Sequence, residues 1–431
     1  MKKIIFLILL TISFTIFAKS IVLESFYIDD PQNLSFFINQ KELTIDHVSK
    51  KGFELYGPEG LETWLQNLNI NYIKIERLAG VSGYPSTQDN NAKLKKYATD
   101  HPDIFKAILI GKSSKGEEFW GLLITKNPDV AVVRPEFKYI ANMHGDEVVG
   151  REMLMSLIGD IANDYYQGNT QIINLVNNTK IYIIPTMNPD GFKKQQRGNG
   201  NNADLNRDFP DFISDPNNTD SSREPEVKSI MAFEAAHSFA LSANYHDGSS
   251  VVNYPWDSTG DIFPFDSLIK NISLDYAKNI PYFYNSSEFN QGVTNGYDWY
   301  LVHGGMQDWS YYWYGDLQVT IEVSETKWPK YSEVTNFYKL HKSSMINYIQ
   351  STHQGAGFVF NQKNISGKVT IFNANNENLG EFPFGNSQFY KVLEKGNYIF
   401  EINTSDNKKY KVNVLVTDAV SINGNYKYLD L

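Results

Sequence analysis

The stretch Phe137-Lys-Tyr-Ile-Ala-Asn-Met-His-Gly-Asp-Glu147 decides the fold and carries the first chemistry of the chain. Its apolar first half predicts a buried strand, and the apolar residues that follow Glu147 recur at helical spacing. Between strand and helix, His144 and Glu147 can offer a metal ion one neutral nitrogen and one anionic oxygen. That leaves room for a third protein ligand and a water, although a His near a Glu is more often an ordinary surface pair.

Similar patterns extend from about residue 84 to residue 355, where strand-like and helix-like segments alternate. This alternation predicts an α/β fold with a mixed sheet covered by helices on both faces. Apolar runs lead directly into His246 and into Glu322, as one does into His144. Open α/β sheets place their ligand crevice at the carboxyl ends of the strands, so we expect these three residues to converge.

Two smaller units flank this region. Residues 19–83 read as a β-α-β unit, with an alternating strand at Phe53–Tyr56, apolar residues at helical spacing from Leu61 to Leu68, and a second strand at Tyr72–Ile75. Residues 356–431 contain short β runs separated by Asn, Gly and Ser, which predict a small all-β sandwich. Neither unit contains a catalytic pattern of its own.

The first 18 residues have the features of a secretory signal. Met1-Lys-Lys3 supplies a basic start, Ile4–Ala18 is a short apolar run, and small Ala18 precedes Lys19. The run is shorter than the roughly 20 apolar residues of a membrane span, although an uncleaved anchor is the alternative. We therefore expect an exported protein without a membrane span after signal removal, in the periplasm or medium of a bacterium.

Composition excludes several classes of function. The formal net charge of -10 supplies no basic excess to neutralise phosphates, so a nucleic-acid partner is not expected. The chain has 0 Cys, which excludes disulfides, thiol catalysis and thiolate metal ligands. Any zinc must therefore be held by His and carboxylate side chains.

These motifs together resemble the zinc metallocarboxypeptidases, and the resemblance covers most of the chain. His144 and Glu147 match the family's paired ligands, and His246, in Ser242-Ala-Asn-Tyr-His-Asp-Gly248, matches the third. The resemblance implies one Zn²⁺ per chain, with cobalt or manganese as other ions that this ligand set can hold. Taken alone, His246 would more often be a partly buried structural histidine.

The resemblance also implies two catalytic side chains. Glu322, in Thr320-Ile-Glu-Val-Ser324, matches the glutamate that accepts the proton of the zinc-activated water. Arg197 matches the arginine that stabilises the tetrahedral oxyanion. Outside this context, Glu322 would be an edge residue and Arg197 a solvated loop charge.

Three further residues match the family's grip on the substrate's terminal carboxylate. Asn206 and Arg207 lie in Asp204-Leu-Asn-Arg-Asp-Phe-Pro210, and Tyr300 is the best match to the family's mobile tyrosine. An arginine can hold a carboxylate through two parallel hydrogen bonds. A site that requires this carboxylate cleaves only the last residue of a peptide, so the expected partners are peptide or protein C-termini.

A catalytic domain followed by a transthyretin-like β sandwich resembles the regulatory, N/E-type branch of the family. In that branch an Asp eleven residues after the last zinc-binding His receives a C-terminal Lys or Arg, and Asp257 matches it. An ordinary turn aspartate is the alternative. The chain departs from the branch at Asp247, where a Gly is usual, which puts the detail of the pocket in doubt.

The N-terminal unit resembles the pro-segments of digestive-type carboxypeptidases, which the N/E branch generally lacks. An inhibitory pro-region and a permanent accessory domain are both possible, and we favour an accessory or folding-assistance role because no decisive cleavage site is seen near Arg77 to Gly83. The histidines outside the motifs are predicted to be structural: His47, His101, His237, His303, His341 and His353.

The sequence therefore predicts an exported, monomeric zinc carboxypeptidase that releases C-terminal Lys or Arg. A peptidase of the same fold acting on cell-wall muropeptides is the enzymatic alternative. An inactive carboxypeptidase-like binding protein is the alternative from another class.

Overall fold

A computed structural model describes residues 20–38, 40, 42–75, 83–417 and 425–430. The signal segment predicted for residues 1–18 lies outside these ranges. Within them, no helix combines the length and the apolar character that crossing a membrane would need.

The N-terminal unit is a four-stranded antiparallel sheet in the order β2-β3-β1-β4 with two short helices. The predicted strand, helix and strand are present as β3, α2 and β4, but the two strands do not pair with each other. They are separated by β1, which pairs with both. The elements are β1 (Glu24–Ile28), α1 (Leu34–Phe37), β2 (Thr44–Ser49), β3 (Gly52–Gly57), α2 (Leu61–Asn67) and β4 (Ile73–Lys74).

The central region contains an eight-stranded mixed sheet in the order β11-β10-β12-β9-β7-β8-β6-β5. Its four middle strands, β12, β9, β7 and β8, are mutually parallel. The elements are α3 (Thr87–Asp100), β5 (Phe105–Lys112), β6 (Glu118–Ile124), β7 (Glu136–Ala141), α4 (Val149–Tyr166), α5 (Thr170–Asn178), β8 (Lys180–Ile184), α6 (Pro189–Lys194), α7 (Pro225–Ala235), β9 (Phe239–His246), β10 (Val251–Tyr254), α8 (Asp266–Ala277), α9 (Pro281–Tyr284), β11 (Val293–Asn295), α10 (Gly296–Trp299), α11 (Met306–Tyr314), β12 (Leu317–Glu322) and α12 (Tyr331–Ser351).

Helices cover both faces of this sheet, as the alternating strand and helix patterns predict. Every residue of β7 is buried, and its side chains alternate between two apolar clusters. Tyr139 packs in the cluster that contains residues of α4, α8 and α12. Ile140 packs in the cluster that contains residues of α7 and α11. The strand is not continuously apolar, because Glu136 and Lys138 are buried too, and Lys138 forms an ion pair with Glu234 in the interior.

The register of the parallel strands sets the position of the candidate site. Glu322 at the end of β12 is paired with His246 at the end of β9, and Ala141 at the end of β7 is paired with Tyr245. The carboxyl ends of three neighbouring strands therefore lie side by side, and the turn after β7 begins beside His246.

The C-terminal region forms a three-stranded sheet, β16-β13-β19, and a four-stranded antiparallel sheet, β15-β14-β17-β18. Apolar side chains of both sheets share one cluster, which includes Phe358, Phe389, Ile371 and Phe400. This arrangement is consistent with the predicted β sandwich. The strands are β13 (Gly355–Phe360), β14 (Gly367–Phe372), β15 (Asn378–Phe384), β16 (Gln388–Val392), β17 (Gly396–Thr404), β18 (Lys409–Val416) and β19 (Asn425–Leu429).

Candidate active site

His144, Glu147 and His246 meet at the carboxyl edge of the sheet. Nδ1 of His246 lies 3.1 Å from Nδ1 of His144 and 2.8 Å from Oε2 of Glu147, and Nδ1 of His144 lies 3.0 Å from Oε1 of Glu147. All three side chains are buried, and their ligand atoms lie within 4.8 Å of one another. Two imidazole nitrogens and a carboxylate facing one point are the donor set of a catalytic zinc site.

The outer nitrogens of the two imidazoles have partners of their own. Nε2 of His144 lies 3.1 Å from Oδ1 of Asp204, and Nε2 of His246 lies 2.7 Å from the side-chain amide of Asn244. A proton held on Nε2 of His144 by the Asp204 oxygen leaves the lone pair of its Nδ1 for a metal, whereas the partner of His246 Nε2 is the amide nitrogen of Asn244, which can only donate. The residues present therefore fit a divalent cation, and Asp204 has a supporting role that the motif comparison did not reveal.

The turn between β7 and α4 is held by Asn142. This residue has φ 57°, in the left-handed region that Asn tolerates better than most residues. Its side-chain amide donates to the carbonyl oxygens of His144 (2.9 Å), Gly145 (3.3 Å) and Glu147 (2.9 Å). Gly145 is needed because a Cβ atom there would lie 2.0 Å from the backbone of Gly191. The turn thus directs His144 and Glu147, the two candidate ligands of the H-x-x-E motif, toward His246.

Glu322 lies beside this group but belongs to a different strand. Its side chain is 4% exposed, and its Oε2 has no hydrogen-bond partner among the described residues. Burial, followed by the charge of Glu147, raises the pKa of Glu322 well above the usual value. A carboxyl group in this environment favours the protonated form, so it is suited to accepting a proton.

Arg197 is almost completely buried next to the ligands. Its Nε donates to Oδ2 of Asp204 over 2.8 Å, and Nη1 lies 3.2 Å from Nδ1 of His144. Nη1 also donates to Asp46 of the N-terminal unit, whereas Nη2 has no described partner. Burial opposes the charge of Arg197, but Asp204 and Asp46 together raise its pKa well above the usual value. The guanidinium is therefore a fixed cation beside the metal-binding group.

Arg207, Asn206 and Tyr300 lie on the side of the site toward the loop that precedes α11. Oδ1 of Asn206 accepts from the backbone N–H of Met306 (3.0 Å), and Nη2 of Arg207 donates to the backbone oxygen of Ile45 (2.9 Å). The Tyr300 hydroxyl donates to Oδ1 of Asp46 (2.7 Å). Arg207 and Tyr300 therefore both bond to the N-terminal unit.

Asp257 is buried at the base of this region. Its Oδ1 accepts from the side-chain amides of Asn253 (2.9 Å) and Gln307 (3.0 Å), and its backbone N–H donates to Asp308. Burial, together with the nearby charge of Asp308, raises the pKa of Asp257 well above its usual value. It is a carboxyl group held in place inside the molecule rather than a residue of an exposed turn.

Asp247, the departure from the N/E-type pattern, has a structural function. Its Oδ2 accepts from the backbone N–H of Val149 (2.8 Å), at the start of α4. The first N–H groups of a helix lack partners within the helix, so a carboxyl oxygen here satisfies one of them. Asp247 therefore points toward α4, away from Asp257.

The N-terminal unit reaches into the site, a position that fits the pro-segment alternative for residues 19–83. His47 was expected to be structural, but its Nε2 lies 4.0 Å from Oε1 of Glu147 and 4.0 Å from Oε2 of Glu322. Local motifs could not indicate this position, because no motif surrounds His47. The contact is between segments 100 residues apart and more.

Comparison with known proteins gives one matching family, described as zinc carboxypeptidase, over residues 91–355. Carboxypeptidase M of Mus musculus is 34% identical over 355 residues, which are 76% of this chain and 79% of that protein. Carboxypeptidase SOL1 of Arabidopsis thaliana is 38% identical over 275 residues, and carboxypeptidase D of Homo sapiens is 36% identical over 365 residues. Those alignments cover 62% and 77% of this chain but only 56% and 26% of the respective relatives.

Solved structures show the same fold. The carboxypeptidase A structure from Helicoverpa armigera superposes with a TM-score of 0.60 at 18% identity, covering 78% of this chain and 98% of that one. Thrombin activatable fibrinolysis inhibitor superposes with a TM-score of 0.58 at 16% identity, covering 78% and 99%. The family match spans more than half of the chain and contains all three residues of the buried His-Glu-His group. The chain therefore belongs to the zinc carboxypeptidase family.

Proposed function

We propose that this protein is an exported carboxypeptidase that hydrolyses the last peptide bond of its substrates and releases C-terminal Lys or Arg. The observation that carries the proposal is buried Glu322, whose Oε2 has no hydrogen-bond partner within the described ranges, beside the group His144, Glu147 and His246. A proton acceptor next to a metal-binding group, but bonded to neither histidine, is what hydrolysis by an activated water requires.

Each candidate residue is assigned a different part of the hydrolysis. A zinc ion bound by the three ligands would lower the pKa of a water molecule and polarise the scissile carbonyl. Glu322 accepts the proton of that water and returns it to the leaving amine. Arg197, whose Nη2 has no partner in the part of the chain that the structure describes, would stabilise the oxyanion as a fixed cation aimed at charge that appears only in the transition state.

The carboxylate of the substrate is assigned to Arg207, Asn206 and Tyr300. Arg207 can grip it with two parallel N–H groups, and the Asn206 amide and the Tyr300 hydroxyl add single donors. Internal peptide bonds lack this carboxylate, so binding here restricts cleavage to the last residue.

Asp257 is assigned to the side chain of that residue. Its buried carboxyl would pair with the cation of Lys or Arg, and an apolar side chain would leave it buried without a charge partner. The assignment is carried over from the family resemblance, and similarity of the chain to proteins named carboxypeptidase D, M and N supports it.

Export, the division into domains and the role of the sandwich rest on the sequence. The proposed units are the signal at 1–18, the N-terminal unit at 19–83, the catalytic domain at 84–355 and a transthyretin-like sandwich at 356–431. The matched family range of 91–355 supports the catalytic boundaries. The relatives named above come from plant and animal species, so a bacterial source and a monomeric state stay predictions.

The test is a cleavage profile with peptides that differ only in their C-terminal residue. Zinc-loaded protein and its Asp257→Asn variant are incubated with peptides ending in Lys, Arg, Leu or Phe, and with muropeptides, and products are identified by mass spectrometry. We expect the wild type to release Lys and Arg preferentially. Asp257→Asn keeps the side-chain shape and should lower kcat/KM for Lys and Arg by about 100-fold, which corresponds to about 2.7 kcal/mol.

The matched control is Asp261→Asn, which changes an exposed acid five residues before the start of α8 and should leave the profile unchanged. Release of apolar residues in preference to Lys and Arg would refute the assignment of Asp257. Activity on muropeptides alone would replace the proposed substrate class, and no hydrolysis of any peptide would favour a binding protein.

A further inference from the structure

The first turn of α11 contacts two parts of the proposed substrate pocket. The backbone N–H of Met306 donates to Oδ1 of Asn206 (3.0 Å), and the side-chain amide of Gln307 donates to Oδ1 of Asp257 (3.0 Å). The next residue, Asp308, bonds to the backbone that carries Asp257. One turn of helix therefore holds a residue assigned to the carboxylate of the substrate and the residue assigned to its last side chain.

Asp308 fixes the turn after β10 through its carboxylate. Both of its oxygens accept from the backbone N–H of Asp257, each over 3.0 Å. Its Oδ2 also accepts from the backbone N–H (2.9 Å) and the hydroxyl (2.6 Å) of Ser258. Because Asp308 is only 3% exposed, these donors replace the water that a carboxylate would otherwise bind. The position of the Asp257 backbone thus depends on a buried acid.

The carboxyl group of Asp257 is held at one oxygen and open at the other. Its Oδ1 accepts from the side-chain amides of Asn253 and Gln307, whereas its Oδ2 forms no hydrogen bond within the described residues. Gly305, just before α11, has no side chain to fill the space beside this oxygen. A Cβ atom there would lie 3.8 Å from Oδ2 of Asp257 and 3.7 Å from Oδ1 of Asn206. The open oxygen and the Asn206 side chain therefore border the same gap.

The charges around this gap favour a cation. Burial raises the pKa of Asp308 to about 6, which still leaves this group ionised at neutral pH. Its charge adds to the effect of burial in raising the pKa of Asp257, and the charge of Arg207 acts against this rise. The proposed function assigns Arg207 to the substrate carboxylate. A substrate with an apolar last side chain would therefore engage Arg207 and bring no cation to the two acids, whereas Lys or Arg brings one.

We propose that Asp308 is a positioning residue that makes the pocket selective for a cationic side chain, by fixing the backbone of Asp257 and placing a second negative charge behind it. This inference rests on the proposed function, because it concerns the pocket that receives the last residue of the substrate. Asp308 acts through Asp257 and is assigned no contact with the substrate. Its loss should weaken the binding of Lys and Arg while leaving the reacting groups, Glu322 and Arg197, in place.

The test measures kcat and KM of zinc-loaded Asp308→Asn on two peptides that differ only in ending in Arg or in Leu. Both oxygens of Asp308 lie 3.0 Å from the backbone nitrogen of Asp257, so either orientation of Asn sets an NH2 group against an N–H. We expect KM for the Arg peptide to rise at least about tenfold with kcat within about twofold, because this interaction is made equally before and during the reaction. KM for the Leu peptide should change less than about threefold, since no charge partner is lost.

Three further variants show whether the effect belongs to the charge and the position of Asp308. Asp308→Glu keeps the charge and should retain more of the preference for Arg than Asp308→Asn does. Ser258→Ala removes one donor to Asp308, so it should lower the preference less. Asp190→Asn is the matched control, because Asp190 is a buried acid that likewise accepts from a backbone N–H, of Lys115 (3.0 Å), and from a hydroxyl, of Ser114 (3.2 Å). It should leave the preference unchanged, and circular dichroism and zinc content are measured for every variant.

A second measurement does not require turnover. Calorimetry compares the binding of free arginine with that of norleucine, whose side chain is apolar and unbranched. We expect the wild type to bind arginine more tightly, and Asp308→Asn to lose most of this difference while its affinity for norleucine stays the same.

Equal losses on the Arg and Leu peptides in Asp308→Asn, a fall in kcat alone, or an unchanged preference for Arg would overturn the proposal. Where Asp308→Asn does not fold, an unchanged preference in Ser258→Ala would overturn it. If the wild type cleaves no peptide, weaker binding of arginine but not of norleucine by Asp308→Asn would uphold the inference and refute the proposed peptidase function. A wild type that neither cleaves a peptide nor binds arginine would overturn both.

Discussion

At the scale of single residues, the candidate metal centre depends on groups behind the ligands. Asp204 contacts His144 through Oδ1 and Arg197 through Oδ2, so one carboxylate orients a proposed zinc ligand and the cation proposed to bind the oxyanion. The charges of Arg197 and His144 hold the pKa of Asp204 well below its usual value, against the effect of burial. It is therefore a permanent anion on which two functional side chains converge.

Replacing this anion tests its role. Asp204→Asn keeps the size of the side chain but removes its charge, so we expect zinc affinity to fall 10- to 100-fold and the fixed position of Arg197 to weaken. The measurement is competition for zinc with a chelator of known affinity. Asp190→Asn is the matched control, because Asp190 is a buried acid that bonds Ser114 and Lys115 rather than a ligand. Equal zinc affinity in the wild type and in Asp204→Asn would show that Asp204 does not support the metal-binding group.

At the scale of elements, burial decides what the sequence can predict. Strands β7, β9 and β12 could be predicted from the mainly apolar runs that lead into His144, His246 and Glu322, as expected of strands covered on both faces. Strand β2, Thr44-Ile-Asp-His-Val-Ser49, was not predicted, because its buried positions include Asp46 and His47. These polar side chains are buried by contacts with residues that are distant in the sequence. A local sequence pattern cannot indicate such contacts.

The strands of the C-terminal sandwich could also be predicted only in part. The sequence has β runs at 367–372, 389–393, 398–402 and 410–416, which match β14, β16, β17 and β18, whereas β13, β15 and β19 were not predicted. Strand β13 begins Gly355-Ala-Gly357, where a Cβ atom would meet the backbone of β16 at 2.1 Å, and β15 contains Gly380 and Pro383. Glycine and proline are depleted in strands, so propensity argued against both elements.

One buried lysine connects the sandwich with the catalytic region. Lys391 of β16 donates to the backbone oxygen of Gly315, just after α11, and its Nζ lies 4.4 to 5.1 Å from the ring centres of Phe382, Tyr311 and Phe265. Burial lowers the pKa of Lys391 to about 7. The protonated form of Lys391 is therefore costly to bury in the contact between the sandwich and the catalytic region.

This cost predicts a pH-dependent effect of Lys391→Met. Between pH 10.5 and pH 7 the unfolded chain holds a proton on Lys391 that the folded chain lacks, so stability is lost as the pH falls through this range. Met fills similar space without charge. We expect Lys391→Met to raise the melting temperature at pH 7 and to do so less at pH 10, with a difference of a few kcal/mol in unfolding free energy.

Thermal unfolding at the two pH values measures this effect. Lys411→Met is the control, because Lys411 is an exposed residue paired with Glu401 on the outside of the sandwich. Its effect should be small at both pH values. A Lys391→Met variant that is stabilised equally at pH 7 and pH 10 would contradict the depressed pKa.

At the scale of the whole molecule, three units contribute to one site in different ways. The central sheet supplies the three metal-binding residues and Glu322, and the N-terminal unit places Asp46 and His47 over them. The family, the fold and the position of the site could be predicted because the motifs lie at strand ends in sequence order. The contacts of His47 with Glu147 and Glu322 could not, since only the folded chain brings these residues together.

The central claim is that one zinc ion is held by His144, Glu147 and His246 beside a separate proton acceptor, Glu322. The most direct measurement is the zinc content per chain of the purified wild type, His246→Ala and Glu322→Gln, read by elemental analysis with peptide hydrolysis measured in parallel. The account predicts about one zinc in the wild type and in Glu322→Gln, loss of most zinc in His246→Ala, and loss of hydrolysis in both variants. Unchanged zinc in His246→Ala, or hydrolysis by Glu322→Gln at the wild-type rate, would contradict it.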